Sequence, residues 1–235
     1  MSLTDDVSSF AVTATRLFRG IYPKMTADRR RDPERLLELW DFEGCPYCRK
    51  VREVLCELDL DYLEHPVAHG SPRRADLLRR GGKMQVPYLA DPNTGAALYE
   101  SGDIIGYLNA TYGGGARAGW RVPVPWIVDD VDSMLATAVR FGRGTRCRAT
   151  GRRDHLRPLT LWNMEGSPYC RKVREALSEL DLEYVVRNVP KRSPKRAELV
   201  ERGGKMQVPY LVDPNSGRQM YESDVIVAYL RERYT

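Results

Sequence analysis

The chain contains the stretch Cys45-Pro46-Tyr47-Cys48-Arg49-Lys50-Val51-Arg52 and repeats it about 122 residues later as Ser167-Pro168-Tyr169-Cys170-Arg171-Lys172-Val173-Arg174. The second copy replaces the first cysteine with a serine and keeps the other seven residues. The same motif therefore occurs twice, with a sulfur nucleophile in one copy and a hydroxyl in the other.

The repeat extends far beyond this motif. Residues 37–112 align with residues 159–234 without a gap, and about 46 of the 76 aligned positions are identical. Upstream, residues 5–20 resemble residues 129–144 at an offset of about 124. Each half is therefore a leading helix followed by a globular domain. With a boundary near Gly114, we expect one unit at residues 1–113 and a second at residues 114–235.

Length and composition predict a cytoplasmic protein. The 235 residues suffice for two domains of about 100 residues, and five cysteines are too few, and odd in number, for a secreted disulfide scaffold. No stretch approaches the roughly 18 apolar residues of a membrane span, and residues 1–10 lack a basic leader. The net charge of +5 comes from 37 basic and 32 acidic residues that are interspersed. This pattern favours a solvated surface over a nucleic-acid partner.

Apolar periodicity in each half predicts the order β-α-β-α-β-β-α. Residues 37–40 alternate as a strand does, and helical spacing follows the cysteine motif directly. A strand near residues 62–67 leads to a helix with Ser71 as N-cap and Pro72 as first residue, and the last helix opens at Ser101. In the second leading helix, an apolar face is expected to pack on the protein, and its members are Val131, Met134, Leu135 and Ala138.

The position of Cys45 predicts a reactive thiol. It lies at the first turn of a helix, where free backbone N–H groups and the helix dipole favour the thiolate. Cys48 is one turn further in, which suits a resolving cysteine that attacks a mixed disulfide on Cys45. The alternative is a buried, unreactive pair. Zinc is not expected, because no second C-x-x-C or paired histidine lies at ligand spacing.

With these motifs the chain resembles the thioredoxin-fold superfamily, and within it the glutaredoxins and the N-terminal domain of glutathione S-transferases. Cys45-Pro46-Tyr47-Cys48 is the dithiol glutaredoxin motif, while Val86-Pro87 and Glu100-Ser101 are similar to the glutathione-binding signatures of the transferase domain. The resemblance covers residues 37–112 and 159–234. It implies an α/β fold with two tandem thioredoxin-like domains, and the upstream repeat and apolar spacing predict that an amphipathic helix precedes each of them.

The resemblance also implies the residues of the site. Pro87 and Pro209 would follow cis peptide bonds, and the backbone of Val86 and Val208 would pair with the cysteinyl part of glutathione. Ser101 and Ser223 would hold the γ-glutamyl carboxylate at a helix N-terminus, unless they are ordinary helix caps. The implied glutathione-binding residues are Tyr47, Gln85, Val86, Pro87, Glu100 and Ser101 in the first half and Tyr169, Gln207, Val208, Pro209, Glu222 and Ser223 in the second.

Two departures from the family pattern limit the interpretation. Glu43, just before the motif, is expected to oppose thiolate formation at Cys45. Transferases carry a helical domain after the thioredoxin-like one, and no such domain follows either copy, so a general detoxifying transferase is not expected. In the second copy, Ser167 either donates a hydrogen bond to a glutathione thiolate or marks a decayed site kept for binding or packing. Cys170 alone is a poor nucleophile.

The remaining cysteines and histidines carry weaker signals. Arg146 and Arg148 flank Cys147 and would acidify its thiol, but a lone cysteine in a loop is usually incidental. Cys56 aligns with Ser178 and is most simply a tolerated small side chain. The histidines His65 and His69 look like polar loop residues, and we expect no metal site.

Taken together, these features predict a glutathione-linked thiol-disulfide oxidoreductase with Cys45 as nucleophile and Cys48 as resolving thiol. Its partners would be glutathione or a similar low-molecular-weight thiol and a protein disulfide. The alternatives are a glutathione-binding or protein-interaction module, or a glutathionyl transferase whose acceptor pocket forms between the units and their leading helices. Resemblance to some glutaredoxins also allows an iron-sulfur cluster at a shared Cys45.

Overall fold

Two thioredoxin-like units follow one another in the computed structural model, which describes residues 3–16, 19–23, 31–114, 133–135, 137–140, 142–149, 151 and 153–235. Helix α1 spans Leu3–Thr15. The first unit contains β1 (Leu37–Asp41), α2 (Pro46–Glu57), β2 (Tyr62–Pro66), α3 (Arg74–Gly81), β3 (Tyr88–Asp91), β4 (Ala96–Leu98) and α4 (Ser101–Tyr112). The second contains β5 (Leu159–Asn163), α5 (Pro168–Glu179), β6 (Tyr184–Asn188), α6 (Lys195–Gly203), β7 (Tyr210–Asp213), β8 (Arg218–Tyr221) and α7 (Ser223–Tyr234).

The element order β-α-β-α-β-β-α is confirmed in both units. One boundary differs from the prediction, because α3 begins at Arg74 and its N-cap is Arg73, without a side-chain capping bond. Ser71 instead accepts a hydrogen bond from the Arg73 amide at 3.0 Å and donates one to Asp181 Oδ1 at 2.5 Å. Ser71 therefore caps a preceding turn and joins the two halves.

The two units share one sheet of eight strands, in the order β4-β3-β1-β2-β6-β5-β7-β8. Strand β2 pairs antiparallel with β6, in the register Tyr62↔Val186, Leu63↔Val185 and Glu64↔Tyr184. A single apolar core runs across this junction, between one face of the sheet and helices α2, α4, α5 and α7. Pairing of the two edge strands removes unpaired backbone groups that would otherwise invite aggregation.

A cluster of buried charges lies where the two halves meet. Arg52 on α2 contacts Glu43 at 2.9 Å and Glu165 of the other half at 3.3 Å. Arg174 on α5 contacts Glu165 at 3.2 Å and Glu43 of the other half at 2.9 Å. All four side chains are nearly inaccessible to solvent. Each arginine therefore neutralises a carboxylate from both halves.

The second leading helix docks through a polar face, which corrects the sequence prediction. Met134 and Leu135 are about half exposed, at 47% and 55%. Ala138 is exposed, and Val131 lies outside the described residues. The buried residues are instead Ser133 and Arg140, which apolar spacing does not predict. Residues 133–135 and 137–139 are helical.

No helix within the described ranges is long and apolar enough to cross a membrane.

We predict that Arg174→Met destabilises the protein by about 3 to 5 kcal/mol, because it leaves Glu43 and Glu165 buried with one arginine between them. The measurement is urea unfolding followed by circular dichroism. The control is Arg79→Met, since the Arg79 side chain is 69% exposed and pairs with Asp76 on the same helix. That change should cost less than about 1 kcal/mol. Equal losses for the two variants would contradict a structural role of the buried cluster.

Candidate functional site

The first cysteine motif lies at the N-terminus of α2. Cys45 is the N-cap residue, with extended backbone (φ −75°, ψ 121°), and Pro46 occupies the first helical turn. The Cys45 sulfur accepts a hydrogen bond from the Cys48 amide at 3.3 Å. An N-cap position presents the sulfur to unpaired N–H groups of the helix, which stabilise a thiolate.

The two cysteines of the motif have opposite acid strengths. Hydrogen bonds from Cys48 lower the pKa of the Cys45 thiol below its ordinary value, against the opposing effects of burial and of Asp41. Burial raises the pKa of Cys48 well above its ordinary value, and Cys45 and Asp41 add to this effect. Cys45 is 4% exposed and Cys48 is fully buried. The arrangement suits an attacking thiolate at Cys45 and a protonated thiol at Cys48.

The carboxylate that opposes the Cys45 thiolate is Asp41, whereas the sequence pointed to Glu43. Burial opposes ionisation of Glu43, but Arg174 and Arg52 lower its pKa to about 2. Its charge is thus neutralised by two arginines. Glu43 lies two residues before Cys45 in the sequence, which suggested that its charge opposes the thiolate. The sequence does not show that Arg174 of the other half pairs with Glu43.

The second motif has the same backbone with a hydroxyl in place of the thiol. Ser167 is the N-cap of α5 (φ −76°, ψ 123°), and its oxygen accepts a hydrogen bond from the Cys170 amide at 3.4 Å. Burial raises the pKa of the Cys170 thiol. Cys170 therefore matches Cys48 in burial and in low acidity.

Each leading helix covers the motif of the other half. In α1, Ser9 donates a hydrogen bond to the Pro168 carbonyl at 2.8 Å, and Thr13 donates one to the Gly166 carbonyl at 2.9 Å. The second leading segment, residues 133–140, makes the matching contacts on the first motif. Ser133 donates to the Pro46 carbonyl at 2.7 Å, and Thr137 donates to the Gly44 carbonyl at 3.0 Å.

The far end of each leading helix contacts its own half. Arg16 forms two hydrogen bonds to Glu53, at 2.9 and 2.7 Å, and Arg140 forms an ion pair with Glu175 at 2.5 Å. Arg140 also donates a hydrogen bond to Ser8, at 2.6 Å. Each leading helix thus bridges the two halves, and the two leading helices contact each other.

The expected cis peptide bonds are present at Val86-Pro87 and Val208-Pro209. Strand β3 begins at Tyr88 and β7 at Tyr210, so the backbone of both valines lies just before the paired part of these strands. An extended peptide can add to such a segment through main-chain hydrogen bonds.

Two of the predicted binding residues meet in each half. The Gln85 amide donates a hydrogen bond to Glu100, and the Gln207 amide donates one to Glu222 at 2.6 Å. Tyr47 and Tyr169, at the motifs, are 39% and 44% exposed.

Ser101 and Ser223 are not helix caps, which corrects one of the two interpretations. The caps of α4 and α7 are Glu100 and Glu222, with φ of 62° and 68° and no side-chain capping bond. A glutamate with positive φ is strained, and such strain tends to occur at functional sites. The strained residue recurs at the same place in both halves.

Burial raises the pKa of the other cysteines. Burial raises the pKa of Cys147, so the expected acidification by Arg146 and Arg148 is wrong. Cys56 donates a hydrogen bond to the Gly20 carbonyl at 3.1 Å, and its counterpart Ser178 donates one to Gly144 at 3.0 Å. Cys56 is therefore a hydrogen-bond donor at the junction as well as a small side chain.

The two histidines differ in setting. His65 lies within β2 and is not a loop residue. Its ring stacks on Trp40 at 4.1 Å, and its Nδ1 contacts Glu183 of the other half at 2.5 Å. His69 lies outside the strands, beside Phe42. Among the described residues, no group of His, Cys, Asp and Glu is placed to hold a metal ion.

Sequence reasoning missed the hydroxyls that cover the motifs. Ser9 and Thr13 recur as Ser133 and Thr137 at the offset of 124, so the signal was present in the repeat. It was overlooked because apolar spacing was taken as the sign of a docking face.

We predict that Cys45 alkylates with a pH midpoint below the ordinary value of 9.0 for a cysteine thiol, because its pKa is lowered. The measurement is the rate of iodoacetamide labelling of each cysteine against pH, read by peptide mass spectrometry. In the folded protein Cys48, Cys56 and Cys170 should stay unlabelled, because their side chains are fully inaccessible and burial raises their pKa, whereas Cys45 is 4% exposed and its pKa is lowered. Labelling of Cys45 with an unshifted midpoint would contradict this assignment.

We predict that Ser133→Ala/Thr137→Ala raises the labelling rate of Cys45. The two hydrogen bonds to the motif carbonyls alone contribute about 2 kcal/mol, and Arg49 loses two acceptors as well. The loss of about 2 kcal/mol increases an uncovered state by about 30-fold. The matched control is Ser9→Ala/Thr13→Ala, which removes the same bonds at the second motif. An equal effect of both variants on Cys45 would contradict the crossed arrangement.

Comparison with known proteins places the two units in one family. The family model "Glutathione S-transferase, N-terminal domain" matches residues 39–116 and again residues 161–235. Glutathione S-transferase 1 of Schizosaccharomyces pombe is 38% identical over 79 residues, which are 32% of this chain and 34% of that protein. The glutathione S-transferase-like protein tpcF of Aspergillus fumigatus is 33% identical over 79 residues, 34% of this chain and 35% of that protein.

Glutaredoxin 3 of Escherichia coli is 26% identical over 53 residues, 23% of this chain and 64% of that protein. The chain thus matches about a third of the length of the two transferase relatives. Among solved structures, the trimeric glutathione transferase TDR1 of Leishmania aligns with 86% of this chain and 67% of its own, at 16% identity and a TM-score of 0.32. By the two matches of the family model, the chain belongs to the glutathione S-transferase N-terminal domain family, as a tandem, glutaredoxin-like protein with two thioredoxin folds.

Proposed function

We propose that the protein is a glutathione-dependent thiol-disulfide oxidoreductase whose reaction takes place at Cys45. The observation that carries the proposal is the contrast within the motif: Cys45 caps a helix with a lowered pKa, and Cys48 is buried with a raised pKa. The Cys45 thiol is thus suited to attack first, and the Cys48 thiol is suited to act in the second exchange. Family membership supports glutathione as the low-molecular-weight thiol.

The reaction proceeds by two exchanges. The Cys45 thiolate attacks the glutathionyl sulfur of a mixed disulfide, forms a Cys45–glutathione disulfide and releases the substrate as a thiolate. Cys48 then loses its proton and attacks the Cys45 sulfur, which forms the Cys45–Cys48 disulfide and releases glutathione as a thiolate. Two further glutathione molecules reduce the protein and leave as oxidised glutathione. Electrons pass from glutathione to the substrate disulfide, so no metal is required.

Glutathione would lie between the motif and the cis-proline loop. The backbone of Val86 would pair with its cysteinyl part, and the N-terminus of α4 at Ser101 would hold its γ-glutamyl carboxylate. Glu100 would receive the ammonium group, and Tyr47 would line the exposed side. The same roles fall to Tyr169, Val208, Glu222 and Ser223 in the second half, next to Pro209 and Gln207.

For the second half we propose binding of glutathione without disulfide exchange. Ser167 occupies the N-cap position of Cys45 and carries no sulfur. The strained Glu222, its contact with Gln207 and the cis peptide at Pro209 are all present. These features suit a ligand that is held and not transformed.

We further propose that the halves are the units 1–113 and 114–235, and that the protein works in the cytoplasm. Residues 115–132 lie outside the described part of the chain. Because the leading helix of each unit covers the motif of the other unit, each unit needs the other to complete its site.

The test is glutathione-dependent reduction of a glutathionylated peptide by the full chain. We expect Cys45→Ser to abolish turnover. Cys48→Ser should retain the first exchange and, mixed with the peptide before glutathione is added, accumulate the Cys45–glutathione disulfide. Ser167→Ala should leave turnover unchanged while weakening glutathione binding measured by calorimetry on the Cys45→Ser background. Unchanged turnover in Cys45→Ser would overturn the proposal, and glutathione binding without turnover, unaffected by Cys45→Ser, would favour a binding module.

A further inference from the structure

Strands β2 and β6 pair at the junction and carry His65 and Arg187 at the same position of the repeat. Each side chain packs on the tryptophan of its own half. The His65 ring stacks on Trp40 at 4.1 Å, and the Arg187 guanidinium lies over Trp162 at 5.1 Å. An arginine stays charged at every physiological pH, whereas a histidine gains and loses its charge near neutral pH. Two matched positions therefore differ in whether their charge titrates.

Both side chains reach a carboxylate of the opposite half. His65 Nδ1 contacts Glu183 Oε1 at 2.5 Å, and Arg187 Nη1 contacts Asp61 Oδ2 at 2.8 Å. The two contacts, His65–Glu183 and Arg187–Asp61, are the clasps of the junction. Glu183 immediately precedes β6, and Asp61 immediately precedes β2. Each clasp therefore ties one of the paired strands to the start of the other.

The charged groups that face His65 come from both halves. Besides the contact with Glu183, His65 Nε2 lies 3.7 Å from Glu38 Oε2 on β1. Arg80 on α3 contacts Glu38 at 2.9 Å, and Arg73, the N-cap of α3, contacts Glu183 at 2.8 Å. The further charged groups near these two carboxylates are Arg35 and Asp154. The groups in direct contact with the imidazole are thus carboxylates, and arginines lie behind them.

This setting favours the charged form of His65. Burial alone would lower the pKa of the imidazole, but the hydrogen bonds and charges of Glu183 and Glu38 outweigh burial and raise it above the ordinary value of 6.5. The hydrogen bond from His65 also lowers the pKa of Glu38 against the effect of burial. Burial opposes the ionisation of Glu183, but His65 and Arg73 lower its pKa. The protonated ring and the two carboxylates thus stabilise one another.

We propose that the His65–Glu183 clasp is a pH-dependent tie between the two halves, which tightens when the imidazole is protonated and weakens when it loses its proton. The inference is independent of the proposed function, because it concerns the junction and not the thiols. Since the pKa of His65 is raised in the folded protein, its contribution to stability is complete below about 6.5 and is lost as the pH rises through the folded-state value. The Arg187–Asp61 clasp keeps both charges over this range. The junction therefore has one clasp that responds to pH and one that does not.

The repeat supplies two matched variants, His65→Arg and Arg187→His. Arg187 contacts two carboxylates, Asp61 at 2.8 Å and Glu198 at 2.6 Å. An arginine at position 65 would meet the counterparts of both carboxylates in the repeat. These counterparts are Glu183 and Asp76. Each replacement thus places a residue in surroundings that already hold it on the other side of the junction.

The first experiment is urea unfolding of the full chain at a series of pH values from about 6 to about 8.5, the range in which a histidine with a raised pKa loses its charge. We expect the urea midpoint of the wild type to fall relative to that of His65→Arg as the pH rises, because only the wild type loses a proton from this clasp. The midpoint of Arg187→His should fall more steeply than that of the wild type, since both clasps then titrate. Parallel midpoints of the wild type and His65→Arg over the whole range would overturn the inference.

The second experiment follows the His65 ring by NMR over the same range and needs no change at position 65, so it decides the matter even where His65→Arg does not fold. The chain has three histidines, and glutamine variants of His69 and His155 identify the His65 signal by elimination. We expect the ring to titrate above 6.5 and Glu183→Gln to lower its pKa. The matched control Asp61→Asn, at the other clasp, should leave it unchanged. A pKa of His65 at or below 6.5, or one that Glu183→Gln does not lower, would overturn the inference.

Discussion

Two buried arginines constrain the rest of this molecule, because a guanidinium removed from water must be paired at nearly every donor. Arg52 and Arg174 meet that requirement by reaching across the junction, each to a glutamate of the other half. Those glutamates, Glu43 and Glu165, precede the two motifs by two residues. The loop that sets the position of each reactive residue is therefore held from the opposite half, and the β2–β6 pairing keeps the halves close enough for this exchange.

The crossed leading helices extend the same principle to the outer side of the motifs. Here Ser133 and Thr137 bond the carbonyls on either side of Cys45, while Ser9 and Thr13 do so around Ser167. Each site is thus composed of its own strand-helix turn, its own cis-proline loop and a helix from the other half. The junction is part of both sites.

Local features of the site could be predicted from the sequence, and contacts across the junction could not. The N-cap position of Cys45 and the strand before it follow from spacing within a few residues. The pairing of β2 with β6 has no such signal, because an edge strand does not encode its partner. Glu43 was misjudged for the same reason: its nearest neighbour in sequence is the motif, but its charge is neutralised by Arg174. The polar docking face of residues 133–140 was missed because burial was equated with apolar spacing.

Under the proposed function, the duplication would separate ligand binding from thiol chemistry within one chain. Glu222 keeps a backbone conformation that costs about 1 to 3 kcal/mol, although Ser167 leaves no nucleophile beside it. Because this strain persists in a copy without the nucleophile, it serves something other than the reaction. The contact of Glu222 with Gln207 at the cis-proline loop supports a role in ligand binding. In contrast, the buried acid at Asp41 is lost together with the thiol. On the proposed function, the features that accompany sulfur chemistry would therefore lie beneath the motif helix, and the features that accompany binding would lie on the loops facing it.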